Sequence, residues 1–182
     1  MNKVIVEKNN GYAVVSLNRP DSMNALSREL RDDFVAALED CQADEAIRVL
    51  IITGKGKAFS AGFDLKELAA PESGTAAETA DNIIARAMEA FEGPIIGAIN
   101  GHAITGGFEL ALACDVIIAS EQARFADTHA RVGILAGWGL SQRLPRLIGL
   151  SRAKELSLTG RPLFAQEAYE WGLVNRVVTA DE

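Results

Sequence analysis

Residues 95–119 read Ile-Ile-Gly-Ala-Ile-Asn-Gly-His-Ala-Ile-Thr-Gly-Gly-Phe-Glu-Leu-Ala-Leu-Ala-Cys-Asp-Val-Ile-Ile-Ala. The pattern is an apolar run, a glycine-rich bend, a short apolar helix and a second apolar run, which predicts strand, turn, helix, strand. Gly101, Gly106 and Gly107 let the backbone turn tightly or approach another group closely, and the bend opens directly onto a helix start. The first N–H groups of such a helix have no partner within it, so the bend is a seat for an anion or for a carbonyl oxygen acquiring charge.

Glu109 lies just inside that helix, among Phe108, Leu110, Ala111, Leu112 and Ala113. A helix apolar all round is predicted to be buried. Positions three and four away, Thr105, Gly106, Leu112 and Ala113, offer no positive partner, and a buried carboxylate without one calls for an explanation. Two readings stand: a first-turn glutamate stabilised by the helix dipole, and a catalytic carboxylate beside an N–H-lined bend.

Outward from this unit the chain is of ordinary composition. It has 182 residues, 48% hydrophobic and 24% charged, which suits one domain with a sizeable core, here taken as residues 1–182. Eighteen basic against 25 acidic residues give a net charge of −7, which argues against a nucleic-acid partner. Cys41 and Cys114 stand far apart and outside any metal-ligand spacing, so they read as small core residues of a reducing compartment, with no metal site. The N-terminal residues lack a signal-peptide core and no run approaches membrane-spanning length, so the expected location is cytoplasmic, with no membrane partner.

Val4–Glu7 and Ala13–Leu17 flank Asn9-Asn10-Gly11 as a hairpin. Ser27 reads as the N-cap of a helix carrying Leu30, Phe34, Ala37, Leu38 and Cys41 on one face, and Val49–Thr53 as a buried strand. Gly54-Lys55-Gly56-Lys57 lacks the Walker A spacing and reads as a solvated turn. Ala58–Leu68 is a second strand-to-bend-to-helix unit. Either Asp64 caps the helix or the bend supplies a further free N–H. Ala69–Glu78 reads as a mobile loop before a helix with Ile84, Met88 and Phe91 on one face.

After the central unit, Asp127 or Thr128 caps a short turn, and His129 is one of two histidines, either structural or catalytic. Asp115 reads as a cap or turn residue. Gln142–Leu150, Ala153–Leu158 and Ala165–Trp171 read as short helices and Val174–Val178 as a closing strand. Repeated β-β-α units without a linker make the class mixed α/β.

These residues resemble the enoyl-CoA hydratase/isomerase (crotonase) superfamily. The resemblance rests on Leu17-Asn18-Arg19-Pro20 through Met23-Asn24-Ala25-Leu26, on Ala58–Leu68, on Asn100-Gly101-His102-Ala103 through Gly106-Gly107-Phe108-Glu109-Leu110-Ala111, on Leu158-Thr159-Gly160, and on Ala165 through Gly172-Leu173-Val174. It implies a spiral of β-β-α units, an acyl-CoA thioester as substrate, and two backbone donors, Phe63 and Gly106, that hold the thioester oxygen as an enolate forms. It further implies acyl-CoA contacts from Ala25, Ala61, Gly62, Asp64, Leu65, Gly107, Thr128 and Leu135, and no cofactor, coenzyme A being part of the substrate. Glu109 occupies the position of the first glutamate of the family's hydratases. In the second, Phe-x-x-x-Glu-x-x-x-Gly, the chain carries Phe125-Ala126-Asp127-Thr128-His129-Ala130-Arg131-Val132-Gly133, so His129 stands in place of glutamate.

The function implied is hydration of a 2-enoyl-CoA to a 3-hydroxyacyl-CoA, with Glu109 as base on water at Cβ and His129, or a water it holds, returning a proton at Cα. Double-bond isomerisation and thioester hydrolysis are alternatives on the same scaffold, and an acyl-CoA-binding member without activity is the alternative of another class. Relatives usually continue into C-terminal helices that cover the acyl pocket and build a trimer or hexamer. The chain stops at Glu182, so those helices are expected to be missing, in a fragment or in a trimmed member.

Overall fold

The structure is a computed structural model and describes residues 2–68 and 83–180, so the Ala69–Glu78 loop lies outside the described residues. Two sheets organise it. The larger starts with the hairpin β1 (Val4–Lys8) and β2 (Gly11–Leu17), antiparallel and closed by Gly11 at φ 92°. It continues through β3 (Ile47–Gly54), β5 (Ile95–Ile99), β7 (Val116–Ser120) and β10 (Arg176–Val178), each parallel to its neighbour in the order β1-β2-β3-β5-β7-β10.

The smaller sheet is built from β4 (Ala58–Ser60), β6 (His102–Ile104) and β8 (Arg124–Ala126), all parallel, with β9 (Leu163–Phe164) antiparallel at its edge. After each of β3, β5 and β7 the chain crosses from the larger sheet to the smaller one. The central bend therefore contains a strand, β6, that the sequence reading treats as turn, and β8 and β9 are likewise additional. Strands of two or three residues are too short to show a period of two.

Helix α1 (Arg28–Gln42) begins where the Ser27 hydroxyl accepts the Leu30 N–H at 3.3 Å and buries Leu30, Phe34, Ala37, Leu38 and Cys41, the face that the spacing predicts. Beyond the short α2 (Leu65–Leu68), α3 (Ile83–Ala90) packs on α1, with Ile84 and Met88 buried and Phe91 buried just past its end. Helix α4 (Gly106–Leu112) is buried at every position. Then come α5 (His129–Val132), α6 (Leu140–Ile148), α7 (Leu150–Thr159) and α8 (Ala165–Glu170). Among the described residues no helix is long and apolar enough to cross a membrane. Asp115 accepts the Ile95 N–H at 2.8 Å, tying β5 to the residue before β7.

Asn24, fully buried at φ 53°, ties the first crossover together. Its side chain accepts the Arg19 N–H at 2.8 Å and donates to the carbonyls of Lys55 at 3.0 Å and Ala58 at 2.7 Å, while its own carbonyl accepts the Ser60 hydroxyl at 2.9 Å. The Asn in Met-Asn-Ala-Leu is thus a structural hub.

The seating of α4 depends on Gly107. A Cβ there would fall 2.1 Å from the Ser60 carbonyl oxygen of β4, closer than any real contact. Gly107, expected among the acyl-CoA contacts, lets helix and strand backbones touch. Gly107→Ala should therefore destabilise the protein by about 1–3 kcal/mol through overpacking, although alanine is the better helix former by about 1 kcal/mol. Urea unfolding reads the sign; a higher midpoint in the variant would refute the close approach.

Candidate active site

The carboxyl ends of β4, β6 and β8 lie side by side because the three strands are parallel neighbours. Each is followed by a bend and a helix start, and the three bends make the site.

The first bend follows β4. Ala61 N–H donates to the Met23 carbonyl at 2.9 Å and Leu26 N–H to the Gly62 carbonyl at 2.7 Å, so the Arg19–Leu26 loop is laced to it. Arg19 Nη1 donates to the Ala25 carbonyl at 2.7 Å and to Asp64 Oδ2 at 3.0 Å. Burial raises the Asp64 carboxyl, but Arg19 and the Lys66 N–H, 3.1 Å from Oδ1, hold it below the usual range. Asp64 therefore caps α2, one of its two predicted roles. Phe63 N–H donates no hydrogen bond among the described residues.

The second bend precedes α4. Gly62, at φ 86°, is folded against it: a Cβ on Gly62 would lie 2.8 Å from the Ile104 carbonyl oxygen and 2.9 Å from Gly106 N. The Phe63 and Gly106 amides are thereby brought to adjacent bends, and Gly106, first in its helix, has no intrahelical acceptor. Thr105 just before it adopts φ 54°, ψ −113°, a strained conformation for a β-branched residue. It is held there by its N–H to the Ala126 carbonyl at 2.8 Å and by a 2.5 Å hydrogen bond between its hydroxyl and that of Thr128.

Glu109, 2% exposed, projects from the first turn of α4. Oε1 accepts the Trp138 N–H at 2.7 Å and the Leu140 N–H at 3.2 Å. Oε2 faces His129 Nε2 at 3.4 Å. The sequence expectation of an unpaired acid is corrected here, because the partner comes from the third bend, twenty residues on, rather than from the helix.

In that third bend Asp127 Oδ1 lies 2.6 Å from His129 Nδ1 and also accepts the His129 N–H at 3.2 Å. Both side chains are buried, and the Ser157 side chain of α7 adds a hydrogen bond to Asp127. Burial alone would lower the His129 pKa, but hydrogen bonds and charge from Asp127 and Glu109 outweigh it and push it up to about 9. Burial likewise raises Asp127, and His129 with Ser157 holds it below its ordinary value. Asp127–imidazolium–Glu109 is the resulting order of charges at neutral pH. Asp127, not Thr128, caps the α5 turn, since the Thr128 hydroxyl is engaged by Thr105.

Trp138 covers Phe63, with ring centroids 4.6 Å apart, and Phe108 packs on Phe125 at 5.4 Å. Two of the expected acyl-CoA contacts are solvent-exposed, Leu65 at 61% and Leu135 at 90%. Sequence reasoning missed Asp127 as the partner of His129 and the Trp138 and Leu140 amides as partners of Glu109. An Asp two residues before a His at a helix start was the available signal for the first.

The family of enoyl-CoA hydratases/isomerases matches residues 7–182. A protein from Arabidopsis thaliana named as a probable peroxisomal enoyl-CoA hydratase is 46% identical over 178 residues, 98% of this chain and 67% of its own length. The crystal structure of an enoyl-CoA hydratase from Mycobacterium tuberculosis is 49% identical, with a TM-score of 0.86 over 98% of this chain and 76% of that one. That of a monofunctional enoyl-CoA isomerase from M. smegmatis is 40% identical, with a TM-score of 0.85 over 100% and 79%. With its two sheets and parallel crossovers, the chain belongs to the enoyl-CoA hydratase/isomerase (crotonase) family.

Proposed function

We propose that this protein is an enoyl-CoA hydratase that adds water across the double bond of a 2-enoyl-CoA to give a 3-hydroxyacyl-CoA. The observation that carries the reading is the direct approach of Glu109 Oε2 and His129 Nε2 at 3.4 Å, on bends neighbouring those of two amides, Phe63 and Gly106, that donate no hydrogen bond among the described residues. The relatives named as hydratases support it.

In this mechanism the thioester oxygen lies between the Phe63 and Gly106 N–H groups. Glu109 takes a proton from water, the water oxygen bonds to Cβ, and the π pair moves to Cα and the carbonyl as an enolate. The two donors stabilise the charge that develops on oxygen, an effect worth several kcal/mol in a dry site. His129 Nε2–H then gives its proton to Cα and the carbonyl re-forms. Glu109 now holds the proton that His129 lacks, and the 3.4 Å contact passes it across, restoring both groups. The cycle uses no group beyond these side chains and the substrate's own coenzyme A.

Isomerisation is the second reading, favoured by the isomerase neighbour and by the fact that a coupled acid and base can also move a proton between two carbons. Product mass separates the two, since only hydration adds water. A cytoplasmic setting belongs to the same proposal, supported by the bacterial relatives. So does a homo-oligomeric assembly, supported by Leu150, Leu158 and Tyr169, large apolar or aromatic side chains left exposed in the last two helices.

Three outcomes are expected. Glu109→Gln should lower kcat on crotonyl-CoA by about 10²–10⁴-fold, read as loss of the enoyl-thioester absorbance; wild-type turnover in that variant would remove Glu109 as the base. Activity should fall as pH rises through about 9, where His129 loses the proton it donates, and the stability this cation contributes should be lost over the same rise. A flat rate between pH 7 and 10 would exclude His129 as the acid. Light scattering should give a mass that is a multiple of the 19.4 kDa chain, and a monomer would refute the assembly.

A further inference from the structure

We infer that Asp127 is a positioning residue of the reaction: its carboxylate grips His129 at two points, turning Nε2 onto Glu109 and keeping the ring in its proton-donating form. The inference rests on the hydratase reading only for the use made of that proton.

Geometry carries the argument. One oxygen, Oδ1, meets both the Nδ1 and the backbone N–H of His129, at 2.6 and 3.2 Å. Two bonds from one acceptor, two residues upstream, fix the backbone and the ring together, leaving the ring one orientation. In that orientation Nε2 faces Glu109 at the longer distance of 3.4 Å. The short bond fastens Nδ1, and the long one leaves Nε2 free to exchange a proton. Asp127 is 3% exposed, so water does not compete for its carboxylate.

A buried carboxylate whose only task is to cap a turn of four residues is poorly accounted for, since an exposed Asp or Ser would satisfy the same N–H. The carboxylate is explained by the cation it faces. The titratable groups that face the imidazole are Glu109 from α4 and Asp127 from its own bend. Helix α7 contributes the neutral Ser157 hydroxyl, which bonds Asp127. Arg131, next along α5, turns its guanidinium to the Thr159 carbonyl at 2.9 Å. An aspartate that fixes the ring and stabilises its protonated form is the second-layer arrangement seen wherever a histidine must keep one tautomer and one orientation.

The test reads the imidazole directly. The chain has two histidines, so a His102→Gln variant assigns the 15N ring signals of His129. In the wild-type chain His129 should titrate near 9, with Nδ1 protonated throughout. Asp127→Asn should lower that midpoint by about one unit or more, the effect of removing an adjacent opposite charge. The alkaline limb of kcat/KM on crotonyl-CoA should move down by the same amount. A wild-type His129 that titrates near its unperturbed value of about 6.5 would overturn the inference without any variant, so a variant that fails to fold does not protect it. An Asp127→Asn chain whose imidazole midpoint is unmoved, or whose imidazole moves while the rate profile stays in place, would overturn it equally. If the imidazole shifts as expected but wild type is silent on crotonyl-CoA, the hold of Asp127 on His129 is supported and the hydratase reading is what fails.

Discussion

A carboxylate in the middle of an apolar, fully buried helix is the constraint around which the rest is arranged. Uncompensated, the Glu109 charge would cost more than a domain's whole net stability. The chain compensates it with backbone. Gly139, at φ 101°, turns the chain so that the Trp138 and Leu140 N–H groups, on either side of it, converge on one oxygen. Arg143 holds that turn from behind, donating to the Trp138 carbonyl at 2.9 Å. The other oxygen is left for His129. The position of the whole 129–140 segment over α4 follows from the need to satisfy one side chain.

The arrangement is balanced rather than neutral. Two anions flank one cation in a water-poor site, and removing any member leaves a buried charge without its partner, which is costlier than never having built the group. Strain accompanies it: Thr105 holds a backbone conformation that its own side chain disfavours, against the hydroxyl of Thr128. That bond joins the bend carrying the Gly106 amide to the bend carrying His129, so the amide and the imidazole are fixed relative to one another.

Much of this was legible in the residues. The hairpin, the capped α1 with its five buried positions, the buried α4 and the singling out of Glu109 all follow from periodicity, turn chemistry and the cost of burying charge. The resemblance to a family adds Phe63, Gly106 and His129 as expected site residues. What could not be read depends on distance along the chain. The smaller sheet is made of strands too short to have a pattern. The partners of Glu109 lie 20 to 31 residues away, and no helical spacing points to them. Glycine permits close approach by anything, and only the fold reveals that Ser60 is what comes close to Gly107 on the strand side.

The smaller sheet has a consequence for how such a protein can change. β4, β6 and β8 are successive copies of one structural position, and each is followed by a bend whose content differs: an amide at Phe63, an amide and a carboxylate at Gly106 and Glu109, an acid–imidazole pair at Asp127 and His129. The scaffold offers one slot three times and fills it with three kinds of chemistry. In the proposed mechanism the first two slots hold the oxygen of the thioester, while the third supplies the proton. In that mechanism, substitution confined to a few residues after β8 redirects the proton without disturbing the hold on the thioester.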